Sequence, residues 1–152
     1  MKIYFVQHGK AGDIDRDGER HLTVEGRSET SIVASHMKRV GISIQEILHS
    51  GKMRARETAE IFGGKLSVKR VGSIDGMNPM DSTKDFVQNI DRGDVMYVGH
   101  LPHLEKTVAL LVTGNHTTNP IKVKNSGVIC LQGEENQWEI AWYLTPELVE
   151  GR

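Results

Sequence analysis

Near its amino terminus the chain reads Ile3-Tyr4-Phe5-Val6-Gln7-His8-Gly9-Lys10, and this stretch decides the fold that we expect. Four apolar residues in a row predict a buried strand, and the glycine turn after them predicts where that strand ends. In α/β proteins, ligands bind at the carboxyl ends of parallel strands. The stretch therefore predicts an α/β fold with a candidate functional histidine, His8, at the end of its first strand.

The composition is that of an ordinary globular protein. Of the 152 residues, 38% are hydrophobic and 26% are charged, and the formal net charge is -1. This length suffices for one core without disulfides or metals, so we expect a single domain over residues 1–152. The near-zero charge gives no reason to expect nucleic-acid or membrane binding. Because no apolar run approaches the ~20 residues of a membrane-spanning helix, and no signal-peptide pattern opens the chain, we expect a cytoplasmic protein.

Short apolar runs alternate along the chain with segments of helical period, which is typical of an α/β fold. The predicted strands are Lys2 to Gln7, Glu46 to His49, Val68 to Val71, Asp94 to Val98, Ser126 to Leu131 and Trp138 to Tyr143. The predicted helices are Thr23 to Val40, Lys52 to Phe62, Ser82 to Ile90 and Pro102 to Val112. We expect three layers: a mostly parallel central sheet with one antiparallel strand near an edge, and helices on both faces.

Smaller patterns predict details of these elements. Gly41 predicts the end of the first helix and Gly63-Gly64 the end of the second. The polar turn over 132–136 predicts a hairpin between the last two strands. Trp138 and Trp142 are an even number of residues apart, so they are expected on one face of the last strand.

His8, Arg54 and His100 each follow a predicted strand, the first, second and fourth. Strands of one parallel sheet can bring all three side chains to one crevice. A phosphoryl group suits such a crevice, since an imidazole can attack phosphorus while a guanidinium and a second imidazole hold its oxygens. A backbone carbonyl that accepts the Nδ1 proton of His8 would direct Nε2 at phosphorus. The pattern predicts a phosphoryl-transfer site that requires no metal.

Four motifs stand in order along nearly the whole chain. They are Gln7-His8-Gly9, Leu22-Thr23-Val24-Glu25-Gly26, Ser50-Gly51-Lys52-Met53-Arg54-Ala55-Arg56-Glu57-Thr58 and Gly99-His100-Leu101-Pro102. Together they resemble the histidine phosphatase superfamily, and most closely its SixA-type phosphohistidine phosphatases. This resemblance implies a phosphoglycerate-mutase-like fold and phosphatase activity without a cofactor.

The resemblance also implies roles for particular residues. His8 would be the nucleophile that is transiently phosphorylated, while Arg54 and His100 would hold the phosphate. His100 would act best as an imidazolium, so a bell-shaped pH profile is expected. The expected substrate is phosphohistidine on a signalling or phosphotransfer protein, such as a histidine phosphotransfer domain.

The sequence departs from the family at the residue before the nucleophile, which is normally arginine and here is Gln7. Loss of one charge-assisted contact is expected to weaken phosphate binding by about 1.5 to 3 kcal/mol. Gln7, Gly9 and Lys10 remain candidate substrate contacts, Lys10 because it restores a positive charge nearby. Asp75 is the candidate proton donor for a leaving alkoxide, although Asp75-Gly76 is also typical of a turn.

Three functions remain open on the sequence. The first is a metal-independent phosphatase that acts on phosphohistidine. The second is a phosphomonoesterase for a small phosphorylated metabolite, which requires an acid near the site. The third is a phosphate-binding or phosphoprotein-binding module of low activity, owing to Gln7. The remaining histidines show no spacing typical of metal ligands.

Overall fold

A computed structural model describes residues 1–135 and 137–151 of the chain. The strands are β1 (Lys2–Gln7), β2 (Glu46–His49), β3 (Arg70–Ser73), β4 (Val95–Gly99), β5 (Val128–Glu134) and β6 (Gln137–Leu144). The helices are α1 (Val24–Arg39), α2 (Met53–Leu66), α3 (Thr83–Val87), α4 (His103–Thr113) and α5 (Pro146–Glu150). No helix in the described ranges is long and apolar enough to cross a membrane.

The six strands form one sheet in the order β3-β2-β4-β1-β5-β6. Neighbours from β3 to β1 pair in parallel, whereas β5 pairs antiparallel with both β1 and β6. The single antiparallel strand is therefore second from one edge, as the sequence predicted. This order confirms the mostly parallel α/β fold and puts the ends of β1, β2 and β4 side by side.

The alternation of β1 divides the core into two clusters on opposite faces of the sheet. Tyr4 and Val6 pack with residues of α1 and α2, such as Val33 and Phe62. The intervening positions Ile3 and Phe5 belong to the other cluster, which contains Phe86 of α3 and Leu104 of α4. Helices thus cover both faces, as predicted, and the candidate site lies where the central strands end.

The predicted boundary between α2 and β3 is wrong. Gly63 and Gly64 do not end α2, which continues to Leu66 and closes at Ser67 in the left-handed conformation. Gly63 instead permits close packing against β3, since a Cβ there would lie 2.9 Å from the Val71 side chain. Because the helix is longer, β3 begins at Arg70 and not at Val68.

Other elements differ from the predictions mainly at their ends. The third helix is shorter than Ser82 to Ile90, and α5 was not predicted. The hairpin of β5 and β6 exists, but the strands extend into the predicted turn of 132–136. Residue 136 of that turn and residue 152 of the predicted domain lie outside the described residues.

Helix α1 begins as predicted, with the Thr23 hydroxyl accepting a hydrogen bond from the Gly26 backbone N–H over 3.0 Å. The segment after His8 packs directly on this first turn. A Cβ at Gly26 would lie 2.2 Å from the Lys10 carbonyl oxygen, so only glycine permits the observed approach. The start of α1 is therefore a support for the residues around His8.

Substituting Gly26→Ala is expected to destabilise the protein by about 1 to 3 kcal/mol, because the methyl group must displace the backbone at Lys10. Gly64→Ala is the matched control, since a Cβ at that helical position meets nothing within 4 Å. It is expected to be neutral or stabilising by about 1 kcal/mol. Urea unfolding measures both free energies, and equal stability of the two variants would contradict the packing argument.

Candidate active site

His8 follows β1 directly and is fixed through its backbone. Its N–H donates to the Gly99 carbonyl at the end of β4, and its own carbonyl accepts a hydrogen bond from the Asn125 side chain over 2.9 Å. The ring Nδ1 lies 2.7 Å from the Gly9 carbonyl oxygen. The end of β1, its parallel neighbour and the segment before β5 therefore hold one buried imidazole.

The ring of His8 is held as a neutral base. Arg54 donates from Nε to Nε2 of His8 over 3.3 Å, so Nε2 carries the lone pair and Nδ1 donates to the Gly9 carbonyl. Burial lowers the pKa of His8 from 6.5 to about 4; the Gly9 bond opposes this shift, and the charges of Arg54 and Arg20 add to it. At neutral pH the ring therefore presents an unprotonated nitrogen beside a guanidinium.

Arg54 lies in the first turn of α2 and is tied to the segment after β1. The Thr58 hydroxyl donates to the Arg54 carbonyl over 2.7 Å and accepts from the Gly9 N–H over 3.0 Å. One buried hydroxyl thus links the turn at His8 with the helix that carries Arg54. Thr58 is therefore an orienting residue for Arg54 and not part of the helix surface.

His100 follows β4, and its ring centroid lies 5.1 Å from that of His8. Its Nε2 is 2.6 Å from the hydroxyl oxygen of Ser50, which follows β2. Burial lowers the pKa of His100 to about 3, and the charge of Arg54 adds to the effect. In the free protein His100 is therefore neutral near pH 7, which differs from the imidazolium expected on the sequence.

Gln7 and Lys10 are next to His8 in sequence, but their side chains line another cavity that also contains Asn125 and Glu29. Lys10 forms ion pairs with Glu25 over 2.7 Å and Glu29 over 3.5 Å, and the hydrogen bond to Glu25 raises its pKa. Gly9 is buried, and its N–H is already bonded to Thr58. Of the candidate contacts, His8, Arg54 and His100 lie together at one site. Gln7 and Lys10 line the neighbouring cavity instead.

Asp75 is exposed in the turn after β3, next to Gly76 at a φ of 92°. The structure therefore favours its interpretation as a turn residue. The carboxylate that lines a cavity with Arg54 and Ser50 belongs to Glu19. Glu19 belongs to the segment before α1, and no pattern in the sequence predicts that this segment lies near the end of β2.

Arg20 is a second residue that the sequence analysis missed. It lines the same cavity of about 540 Å³ as Arg54 and Ser50. Burial lowers the pKa of Arg54, and the charge of Arg20 lowers it further, so the two guanidinium groups are near each other. Two neighbouring cations favour an anion between them. The signal available in the sequence was the position of Arg20, two residues before the Leu22-Thr23 motif.

The segment that carries Arg20 is fixed by a cluster around His21. Its Nε2 lies 2.8 Å from an Asp15 carboxylate oxygen, and its Nδ1 lies 3.2 Å from Glu57 of α2. The Glu57 bond raises the pKa of His21. Ligand atoms of Asp15, Asp17 and His21 all lie within 4.8 Å of one another, a grouping that the sequence analysis did not anticipate.

The low pKa of His8 predicts that its ring stays neutral until the pH falls to about 4. Because the unfolded chain takes up this proton near pH 6.5, the stability that His8 contributes is complete above that pH. It is lost as the pH falls toward the folded pKa. Carbon-13 shifts of the ring measure the titration, with near-UV circular dichroism monitoring folding. A midpoint near 6.5 in folded protein would contradict the assigned burial.

The chain is similar in sequence to known proteins over most of its length. No family model matches the chain. It is 31% identical over 144 residues to an uncharacterized protein of Picosynechococcus sp., covering 87% of this chain and 85% of that protein. It is also 23% identical over 154 residues to the phosphohistidine phosphatase SixA of Escherichia coli, covering 96% of this chain and 94% of the relative.

Among solved structures, the chain is similar to the protein histidine phosphatase SixA complexed with tungstate. The TM-score is 0.84 at 24% sequence identity, and the match covers 96% of this chain and 97% of that one. The order of strands and helices is therefore shared over almost the whole length, and the expected phosphoglycerate-mutase-like fold is confirmed.

Proposed function

This chain belongs to the histidine phosphatase superfamily, and from that membership we propose that it removes phosphate from phosphohistidine through an intermediate on His8. One arrangement carries the proposal. The unprotonated Nε2 of His8 lies 3.3 Å from Arg54, and the ring of His100 is 5.1 Å away. A nucleophile beside groups that bind an anion is what phosphoryl transfer requires.

The proposed reaction has two displacements. In the first, the Nε2 lone pair of His8 forms a bond to phosphorus, and the substrate P–N bond breaks. The electron pair of that bond leaves with the substrate imidazole, which takes up a proton. In the second, water attacks phosphorus, the bond to Nε2 breaks with its electrons returning to His8, and inorganic phosphate is released.

The surrounding residues are suited to stabilising the transferred group. Arg54 and Arg20 supply the positive charge that a phosphoryl dianion needs. His100 and Ser50, bonded to each other in the free protein, supply hydrogen bonds to its oxygens. A bound dianion raises the pKa of His100 and so favours its imidazolium form. The protonated residue expected on the sequence would then belong to the complex and not to the free protein.

Phosphohistidine is the favoured substrate for two reasons. The relative from Escherichia coli is a phosphohistidine phosphatase. Within the described ranges, no carboxylate forms a hydrogen bond to His8, Arg54 or His100. An imidazole leaves phosphorus more readily than an alkoxide does, so this reaction depends less on a strong acid.

Trapping the intermediate tests the proposal. The protein is incubated with isotope-labelled phosphoramidate and, separately, with a phosphorylated histidine phosphotransfer domain, and is then quenched rapidly. We expect acid-labile, base-stable phosphate, assigned to His8 by peptide mass spectrometry, and release of inorganic phosphate. Binding of both donors without label or phosphate release would favour the alternative of a binding module created by Gln7.

The metabolite phosphomonoesterase is the second candidate, favoured by Glu19, whose carboxylate lines the cavity of Arg54. If phosphohistidine is the substrate, Glu19→Gln and Asp75→Asn are expected to keep phosphoramidate hydrolysis within about threefold, since neither variant removes a needed acid. If an ester is the substrate, loss of the acid is expected to slow ester hydrolysis about a hundredfold or more. Comparing kcat on the two substrates for both variants separates the two functions.

A further inference from the structure

A second cavity adjoins the His8 site. Its volume is about 330 Å³, and Gln7, Leu101 and Asn125 line it. Gln7 directly precedes His8, Leu101 directly follows His100, and Asn125 donates to the His8 carbonyl. The cavity is therefore bounded by the immediate neighbours of both site histidines.

Lysines predominate among the charged residues that line this cavity, although Lys10 is already paired with Glu25 outside the lining. Three ammonium groups line it, those of Lys10, Lys122 and Lys124, together with two carboxylates, those of Glu29 and Glu147. Among the residues that the structure describes, no guanidinium lines the cavity, so they do not offer it the bidentate fork that suits phosphate. Because Lys10 and Lys124 each have a carboxylate partner, Lys122 is the described lining cation left without one, and its single charge matches a carboxylate better than a dianion.

Two lining groups are available to a ligand. In the described part of the chain, neither the half-buried amide of Gln7 nor the ammonium group of Lys122 forms a side-chain hydrogen bond or ion pair. Lys124 is only loosely held, since its distances to Glu147 are 3.3 and 3.5 Å and both groups are half exposed. An incoming carboxylate can accept from Gln7 and Lys122 without breaking a strong bond.

From these observations we propose that the cavity binds the carboxylate of an aspartate or glutamate flanking the phosphorylated residue of a protein substrate. The proposal rests on the phosphatase function proposed above. An extended chain advances about 3.3 to 3.6 Å per residue, so a side chain one or two positions away reaches a cavity that borders the His8 site. Gln7, which replaces the arginine usual in the family, then acts in substrate selection.

Two peptides that carry a non-hydrolysable phosphonate analogue of phosphohistidine test this proposal. One has Asp or Glu within two positions on each side, and the other has Asn or Gln at the same positions. Fluorescence anisotropy measures both dissociation constants at about 20 and 200 mM salt. We expect the acidic peptide to bind about three- to fivefold more tightly at low salt, the range of partly exposed ion pairs.

Variants of Lys122 test whether the preference for the acidic peptide arises at this cavity. Lys122→Ala is expected to abolish it and Lys122→Glu to reverse it. Lys65→Ala is the matched control, because Lys65 is exposed in the last turn of α2, about 16 Å along the helix from Arg54. Equal affinity of the peptides for the unmodified protein, or the same loss in Lys65→Ala as in Lys122→Ala, would overturn the proposal.

The carboxylate could instead come from a small metabolite. A small molecule that carries both phosphate and carboxylate tests this alternative. A Lys122-dependent preference for this compound over its amide, without any preference between the peptides, would overturn the protein substrate in favour of a metabolite. The binding measurement needs no turnover. If the protein prefers the acidic peptide but takes up no phosphate from a donor, the result contradicts the proposed phosphatase function and leaves the binding proposal standing.

Discussion

Replacing His8 by alanine is expected to lower phosphoryl transfer about ten-thousandfold and to eliminate the acid-labile label, because the variant has no nitrogen at the position of attack. The bonds that fix His8 through its backbone, to Gly99 and Asn125, do not involve the ring, so the variant should keep the fold. Single-turnover release of phosphate from labelled phosphoramidate measures the effect.

His36→Ala is the matched control, since His36 lies in the last turn of α1 and, among the described residues, its ring forms a hydrogen bond only with the nearby Arg39. It should retain label and turnover. Persistent labelling of the His8→Ala protein at another residue would show that the nucleophile has been misassigned.

Arg54→Ala is expected to reduce kcat/KM by about a hundred- to a thousandfold, because it removes the cation nearest to the attacking nitrogen. Arg54→Lys should recover little of the loss, since an ammonium group cannot form the planar fork. The Thr58 hydroxyl contacts the Arg54 backbone carbonyl, a bond that both variants keep. Steady-state kinetics on phosphoramidate measure kcat and KM separately.

Arg56→Ala makes the same change two residues along the helix, where the side chain is exposed and paired with Glu60. We expect kcat/KM within about twofold of the unmodified protein, since exposed pairs contribute little. Comparable losses in the Arg54 and Arg56 variants would mean that general charge, and not contact with the phosphoryl group, governs the rate.

The sequence was sufficient to predict the architecture, because the period of its apolar residues indicates which positions are buried. The apolar run before Gln7 identified β1, and the cap at Thr23 identified the start of α1. The end of α2 could not be predicted in the same way. Gly63 breaks a helix by local preference, but here its missing side chain lets the helix approach Val71, a contact that the sequence does not reveal.

The faces of the last strand, β6, also could not be predicted from the sequence. Trp138 and Trp142 were expected on one face, but they pack in opposite clusters. Pairing with β5 passes from Cys130 with Trp142 to Leu131 with Ile140, so one residue of β6 is unpaired at this irregularity. A single extra residue reverses the alternation beyond it. Tertiary pairing creates the bulge, and the spacing of the tryptophans cannot indicate it.

At the candidate site, the sequence predicted which strand ends carry His8, Arg54 and His100, and their roles remain predictions. It missed Arg20 and Glu19, because the loop before α1 follows no periodic pattern. Contacts such as that between Ser50 and His100 join segments distant in the chain, so only the folded structure reveals them.

The hydroxyl of Thr58 affects how quickly the site can act on a substrate that has just bound. Because it joins the turn at Gly9 to the helix of Arg54, the base and the cation nearest to it form one preassembled unit. Their relative orientation is fixed during folding, so a substrate arrives at a finished geometry and need not order the two groups itself. Encounter and chemistry can then proceed without an intervening rearrangement of these two elements.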